Sequence, residues 1–207
     1  MPFVAKRCLD LVMAGLIFIV TLPIMLVVAI AIKLESPGPV LFCQRRVGRG
    51  CQEFTCYKFR SMFVGSDPGV HREYIRTLFA DEQGARTKED VYKMTADPRV
   101  TRVGRWIRRL SIDELPQIFN VFKGEMSIVG PRPAIGYELE HHDENMLRRF
   151  SVNPGITGLW QISGRSGLTY RQMVEMDLKY IREWSLMLDI KIILKTFGYV
   201  LNISRAY

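Results

Sequence analysis

The segment LVMAGLIFIVTLPIMLVVAIAI, residues 11 to 32, carries no charged side chain in 22 consecutive positions. A helix of that length is long enough to cross the hydrocarbon layer of a bilayer, which is about 30 Å thick. A cleaved signal peptide is disfavoured, because the segment is longer than a typical signal core. The segment therefore predicts one membrane-embedded helix near the N-terminus.

Two details leave the path of this helix open. Pro23 lies near its middle, where the missing N–H and the ring should kink it. Lys6 and Arg7 precede the segment and Lys33 follows it, so the flanking charges give no clear orientation. A spanning helix is the default and tolerates a proline, whereas a re-entrant helix with both ends on one membrane face explains both details.

Composition limits the rest of the chain to one domain with an anionic partner. The 207 residues suffice for one core. Lys and Arg outnumber Asp and Glu by 29 to 21, for a net charge of +8, which favours nucleic acid, a phosphorylated substrate or anionic lipid. Nucleic acid is poorly supported, because Trp106 alone interleaves with the arginines around it. The four cysteines show neither zinc nor disulfide spacing, which indicates a reducing, cytosol-facing domain.

The pattern after the apolar segment predicts an α+β fold. VLFCQRRVGRGCQEFTCYKFRSM, residues 40 to 62, is typical of a β-hairpin with Gly48 and Gly50 in its turn. Residues 64 to 97 are polar, with an amphipathic helix possible around REYIRTLFADE. Further helices are predicted around residues 114 to 122, 137 to 150, 170 to 184 and 185 to 201, with a short strand at MSIVG and a glycine-punctuated loop and strand in NPGITGLWQISGRSG, residues 153 to 167. The last helix could lie in a membrane interface.

The segment DPRVTRVGRWIRRLSIDELPQ, residues 97 to 117, supports two interpretations. Structurally, Ser111 and Glu114 have the spacing of a helix-capping box, although Pro116 weakens that prediction. Functionally, Asp113 could attack a phosphate if the negative charge of that phosphate were neutralised, and Glu114 could hold Mg²⁺ for this purpose. The cations are at hand, because on a helix the preceding arginines would form one cationic stripe. The members of that stripe are Arg99, Arg102, Arg105, Arg108 and Arg109.

A series of motifs in order gives the chain a family resemblance. They are KRCLD at residues 6 to 10, SPGPVLFCQRRVG at 36 to 48, YKFRSM at 57 to 62, DPRVTRVGRWIRRLSIDELPQIFNVFKGEMSIVGPRP at 97 to 133, NPGITGLWQISGRSG at 153 to 167, and DLKYIREWSLMLDIKIILKT at 177 to 196. In these motifs the chain resembles the bacterial sugar transferases, the monotopic phosphoglycosyl transferases that begin surface polysaccharide and glycoconjugate synthesis.

The resemblance implies an activity and a location. The reaction would transfer a sugar 1-phosphate from a UDP-sugar to a polyprenyl phosphate such as undecaprenyl phosphate, releasing UMP, with Mg²⁺ as cofactor. Residues 1 to 35 would form a re-entrant helix-break-helix with Pro23 at the break, which reverses the preference for a span. Residues 36 to 207 would form the catalytic domain on the cytoplasmic face of the bacterial inner membrane. Membrane lipids are implied partners, nucleic acid is not, and a homodimer is allowed.

The resemblance also implies residue roles. Asp113 matches the family's nucleophile and Glu114 its partner, the two being associated with Mg²⁺, in a ping-pong mechanism through a phosphosugar on Asp113. Candidates for phosphate or nucleotide contacts are Lys58, Arg60, Arg108 and Arg132, while Arg165 and Asp177 match further motif positions and Asp10 an orienting position at the membrane boundary. Two alternatives remain: the same reaction in a single ternary step, and a non-enzymatic, membrane-tethered module that binds anionic lipid.

Overall fold

The computed structural model describes residues 3–67, 69, 97–163 and 168–201. It opens with a long helix, α1 (Phe3–Glu35), and a pair of strands, β1 (Leu41–Val47) and β2 (Glu53–Phe59). The later elements are α2 (Arg102–Arg109), α3 (Ile118–Lys123), β3 (Ser127–Val129), α4 (Glu144–Leu147), β4 (Gly155–Thr157), α5 (Leu159–Ile162), α6 (Tyr170–Glu183) and α7 (Leu186–Leu201). Short 3₁₀ helices occupy Arg49–Cys51, Ile112–Gln117, Gly136–His141 and Arg148–Ser151. The predicted mixture of helices and strands is confirmed.

α1 packs one face against the rest of the protein along its whole length. The buried positions on that face recur at helical spacing and include Asp10, Ala14, Met25, Val28 and Ile32. The opposite face exposes large apolar side chains, among them Val12, Leu16, Ile19, Val20, Val27 and Ile30. By length and composition α1 is the helix of the described chain that could cross a membrane. Pro23 lies inside α1, and the helix continues on both sides of it.

β1 and β2 form the predicted antiparallel hairpin, with Leu41 opposite Phe59 and Val47 opposite Glu53. Gly50 in the connecting turn has a φ of +65°, a left-handed conformation that glycine adopts without steric cost. The hairpin supplies one wall of the site described below.

The core lies between α1, α7 and a short parallel pair, β3 with β4. Ile128 and Val129 of β3 pack in one buried cluster with Ala14 of α1 and Ile192 of α7. The strand expected at MSIVG and the two helices expected at the end of the chain are therefore confirmed.

Two predicted helices are divided in the structure. Residues 137 to 150 are interrupted at His142, whose backbone is extended, because Asp143 caps a new helix by accepting a hydrogen bond from the Met146 N–H at 2.7 Å. Residues 114 to 122 are divided between a 3₁₀ helix and α3. The amphipathic helix considered around residues 72 to 82 lies outside the described residues.

Candidate active site

The chain turns sharply between α2 and the adjacent carboxylates Asp113 and Glu114. Ser111 has φ 57° and ψ 20°, a left-handed backbone that is uncommon outside glycine. Its side chain makes no cap hydrogen bond, and its carbonyl accepts the Glu114 N–H at 3.3 Å. The predicted capping box is therefore wrong, because such a box needs an extended N-cap residue. Asp113 and Glu114 instead form the first turn of the 3₁₀ helix Ile112–Gln117.

Lys58 of β2 holds Glu114 in place. Its Nζ lies 2.8 Å from Oε1 of Glu114, and the two side chains are 22% and 36% exposed. The ion pair is thus accessible to solvent and adjacent to Asp113, which is half-buried. Three of the residues singled out from the sequence are brought together here, although their chemical roles stay predictions.

More cations gather around the buried thiol of Cys56, two residues before Lys58 on the same face of β2. Burial raises the pKa of Cys56, the positive charges of Lys58, Arg46 and Arg132 act to lower it, and the negative charge of Glu114 acts to raise it. All four charged groups therefore lie within electrostatic reach of one buried atom. Arg46, which sequence reasoning missed, also donates from Nη1 to the Pro133 carbonyl at 3.0 Å and so ties the hairpin to the GPRP turn.

Arg132 in the GPRP turn is held from three sides by buried charges. Its N–H donates to Asp177 at 3.3 Å, its carbonyl accepts from Arg149 at 2.9 Å, and its guanidinium lies 3.2 Å from Glu138. Arg149 and Asp177 also pair directly at 2.6 Å. Burial raises the pKa of Asp177 to about 6, although Arg149 opposes that shift. Asp177 thus lies in a structural network behind Arg132, and its direct contact with substrate stays a prediction.

Other predicted contacts lie at different places. Arg60 is 5% exposed, and its guanidinium donates to the carbonyls of Ser36 and Pro37 just beyond α1 at 2.7 and 2.8 Å. Its phosphate contact stays a prediction, whereas its contact with the end of α1 is observed. Arg108 is half-buried on the last turn of α2. Arg165 lies outside the described residues.

The cationic stripe is shorter than predicted. Arg99 precedes α2 and pairs with Asp97 at 2.7 Å, and its hydrogen bonds hold the pKa of Asp97 below the usual value. α2 begins only at Arg102, so four of the five arginines lie on the helix. Asp10 accepts hydrogen bonds from Lys6 and from the Ile128 N–H, which fixes the start of α1 to β3.

The carboxylates suit a magnesium ion that is completed by substrate. Among the described residues, no group of three or more His, Cys, Asp or Glu side chains is arranged to hold a metal alone. Mg²⁺ commonly binds one or two carboxylates and fills its octahedron with water and substrate phosphates. Asp113 and Glu114 are adjacent on one turn, and their binding of Mg²⁺ stays a prediction.

A long apolar helix that could cross a membrane thus occurs in one chain with two adjacent carboxylates and a group of nearby cations. The chain belongs to the bacterial sugar transferase family, whose model matches residues 1–203. It is 42% identical over 203 residues to the undecaprenyl-phosphate galactose phosphotransferase of Salmonella typhimurium, covering 98% of this chain and 41% of that protein.

Two further relatives show the same likeness. The chain is 48% identical over 202 residues to the undecaprenyl-phosphate glucose phosphotransferase of Komagataeibacter xylinus, covering 92% of this chain and 35% of that protein. It is 42% identical over 197 residues to the exopolysaccharide production protein ExoY of Sinorhizobium fredii, covering 95% of this chain and 85% of that protein. The chain thus spans 35% to 41% of the two longer relatives and 85% of the shorter one.

Proposed function

We propose that the protein transfers a sugar 1-phosphate from a UDP-sugar to a polyprenyl phosphate and releases UMP. The observation that carries the proposal is the Lys58–Glu114 ion pair at 2.8 Å beside Asp113, in a chain of the bacterial sugar transferase family. The relatives named as undecaprenyl-phosphate hexose phosphotransferases support the lipid acceptor. The product would be the first lipid-linked intermediate of a surface polysaccharide or glycoconjugate.

The residues suggest a two-step, covalent reaction. A carboxylate oxygen of Asp113 attacks the β-phosphorus of the UDP-sugar, the bond from that phosphorus to the bridging oxygen breaks, and UMP leaves with the bridging oxygen. An oxygen of the polyprenyl phosphate then attacks the same phosphorus and displaces Asp113, which returns as a free carboxylate. Lys58 and Arg132 would hold the phosphate oxygens through both steps, because the charge to be neutralised stays in one place.

Mg²⁺ held by Glu114 and Asp113 would supply further positive charge against the diphosphate. Lys58 already holds one oxygen of Glu114, which limits how far that carboxylate can turn. The ion pair thus ties the turn that carries Asp113 to β2.

Initial rates with varied UDP-sugar and polyprenyl phosphate test this order of events. The covalent mechanism predicts parallel double-reciprocal lines, whereas a single ternary step predicts intersecting ones. A panel of UDP-sugars, scored for UMP release by membrane-reconstituted protein with Mg²⁺, identifies the donor. Lack of UMP release from every UDP-sugar would contradict the proposed activity and favour a lipid-binding module.

The attachment of α1 at both ends supports insertion from one membrane face. Near its start, Lys6 pairs with Asp189 of α7 at 3.1 Å, and near its end Glu35 accepts the Arg102 N–H of α2 at 2.7 Å. Between them, Phe18 makes edge-on ring contacts with α3. A spanning α1 would draw the polar domain packed along it into the hydrocarbon layer, where its unsatisfied charges would be costly.

The exposed apolar surfaces indicate where lipid would lie. The outward face of α1 is one such surface, and α7 has another exposed stripe, which repeats at helical spacing and consists of Met187, Ile190, Leu194 and Phe197. Lys191 and Lys195 are also exposed on α7, where they suit anionic headgroups. We therefore place α1 and α7 at the cytoplasmic face of the bacterial inner membrane, with both ends of α1 on that face.

Cysteine labelling tests this placement. Val4 and Leu34 are 76% and 82% exposed at opposite ends of α1. Each is replaced by cysteine in a chain whose four native cysteines are alanine, and intact and permeabilised cells are treated with a membrane-impermeant maleimide. Both positions should react only after permeabilisation. Reaction of one position alone in intact cells would show that α1 crosses the membrane.

A further inference from the structure

The end of α1 is fastened directly to the beginning of α2. The carboxylate of Glu35 accepts the N–H of Arg102 at 2.7 Å and the N–H of Val103 at 3.0 Å. These N–H groups belong to the first turn of a helix and have no acceptor within it. Glu35 therefore caps α2 from a distant part of the chain, beside the local cap that Thr101 provides to Gly104 at 2.9 Å.

The same end of α1 is fastened to the end of β2. Arg60, which directly follows β2, donates to the Ser36 carbonyl at 2.7 Å. The next residue, Ser61, accepts the Thr101 N–H at 3.1 Å. A β-carbon on Gly104 would lie 2.0 Å from the Ser61 oxygen, so α2 rests directly against this backbone. These five residues, Glu35, Arg60, Ser61, Thr101 and Gly104, form what we call the anchor joint.

The two segments that carry candidate active-site residues, β2 and the chain that follows α2, are both connected to the anchor joint, β2 directly and the other through α2. Lys58 lies two residues before Arg60 on β2, and Asp113 lies four residues beyond the end of α2. The eight residues of α2 make a rod of about 12 Å, so a tilt of about 5° at its start moves its far end by about 1 Å. A displacement of that size at a reacting group can reduce a rate by about 10²-fold.

We propose that Glu35 is a positioning residue that sets Asp113 relative to Lys58 through α2. The inference rests on the proposed phosphosugar transfer, and it assigns the membrane helix a part in the geometry of the reaction. Glu35 itself touches no substrate. Its removal loosens the start of α2 and thereby lowers kcat, while the groups that bind the donor remain.

Asp143 offers a matched control for a merely structural role. Its carboxylate caps α4 by accepting the Met146 N–H at 2.7 Å, so Asp143→Ala removes the same kind of hydrogen bond from another helix. Glu35→Ala, Glu35→Gln and Asp143→Ala are reconstituted in membranes, and their thermal midpoints, kcat and donor KM are measured. Glutamine keeps the side-chain length and one carbonyl acceptor.

Glu35→Ala should lower kcat at least about tenfold, with the donor KM changed less than about twofold. The kcat of Glu35→Gln should lie between those of Glu35→Ala and the wild type. Asp143→Ala should keep the wild-type kcat although its thermal midpoint falls by a similar amount. Equal kcat in Glu35→Ala and Asp143→Ala would overturn the inference. If Glu35→Ala does not fold, full kcat in Glu35→Gln would overturn it. A wild-type protein that releases no UMP would instead refute the proposed function.

Discussion

Replacing Arg149 by methionine should strongly destabilise the protein. The Arg149 side chain is 0% exposed, lies 2.6 Å from Asp177 and donates to the Arg132 carbonyl at 2.9 Å. Methionine fills part of the volume but leaves a buried carboxylate without its cation. Removing one partner of a buried ion pair costs about 3–5 kcal/mol. For a chain of this size each kcal/mol shifts the midpoint by about 2–4 °C, so the thermal midpoint should fall by about 6–20 °C.

The loss should also depend on pH. Burial raises the pKa of Asp177 to about 6, and Arg149 acts in the opposite direction, so its removal raises that pKa further. When folding raises the pKa of a carboxyl, the free energy of unfolding of the protein falls as the pH rises from the unfolded-state pKa toward the folded-state pKa. At pH 5 the carboxyl is mostly neutral in both proteins, whereas at pH 7.5 the wild type alone has the guanidinium that stabilises its ionised form. The gap between the two proteins should therefore be larger at pH 7.5.

Arg148→Met is the matched control, because Arg148 is the exposed neighbour in the same 3₁₀ helix. Thermal unfolding of wild type, Arg149→Met and Arg148→Met is followed by circular dichroism in one detergent at both pH values. The control should remain within about 2 °C of wild type, since exposed substitutions usually cost less than about 0.5 kcal/mol. Equal midpoints for the two variants, or a difference from wild type that does not change with pH, would show that Arg149 and Asp177 do not form a stabilising buried ion pair.

Two other substitutions separate packing from chemistry. Gly104→Ala should lower the thermal midpoint by about 2–12 °C, because the added carbon would lie 2.0 Å from the Ser61 oxygen. Gly136→Ala is the control and should leave the midpoint unchanged, because the space around Gly136 is open. Equal midpoints for the two variants would contradict the close approach of α2 to Ser61. Glu114→Gln should reduce turnover in a UMP-release assay about 10²-fold. Its free energy of unfolding should change by less than about 1 kcal/mol, because the ion pair with Lys58 is partly exposed. Unchanged turnover would show that Glu114 is not part of the active site.

The sequence predicted the helices and turns whose characteristic residues lie close together along the chain. The apolar run at residues 11 to 32 is inside α1, and the glycines of VGRG mark the hairpin turn. The spacing of Ser111 and Glu114 also looked local, yet the left-handed backbone at Ser111 depends on how α2 leads into the 3₁₀ helix against β2. The capping-box prediction failed for that reason.

Contacts between distant residues could not be predicted from their neighbours. Arg148 and Arg149 are adjacent and chemically identical, and only the fold buries one of them beside Asp177. Arg60 stood in a basic motif beside Lys58, and its contact with the end of α1 needed the three-dimensional path of the chain. Glu35 carried no signal at all, because the N–H groups that it caps lie 67 and 68 positions away.

A phosphosugar carried on Asp113 adds mass to the protein, and intact-protein mass spectrometry detects that addition. Wild-type protein is incubated with the active UDP-sugar and Mg²⁺ in the absence of polyprenyl phosphate, and the adduct is mapped by peptide digestion. We predict one added sugar phosphate per chain on Asp113, matched by one equivalent of UMP and absent from Asp113→Asn. Normal turnover without any adduct, or full turnover by Asp113→Asn, would show that the reaction does not pass through a phosphosugar on Asp113.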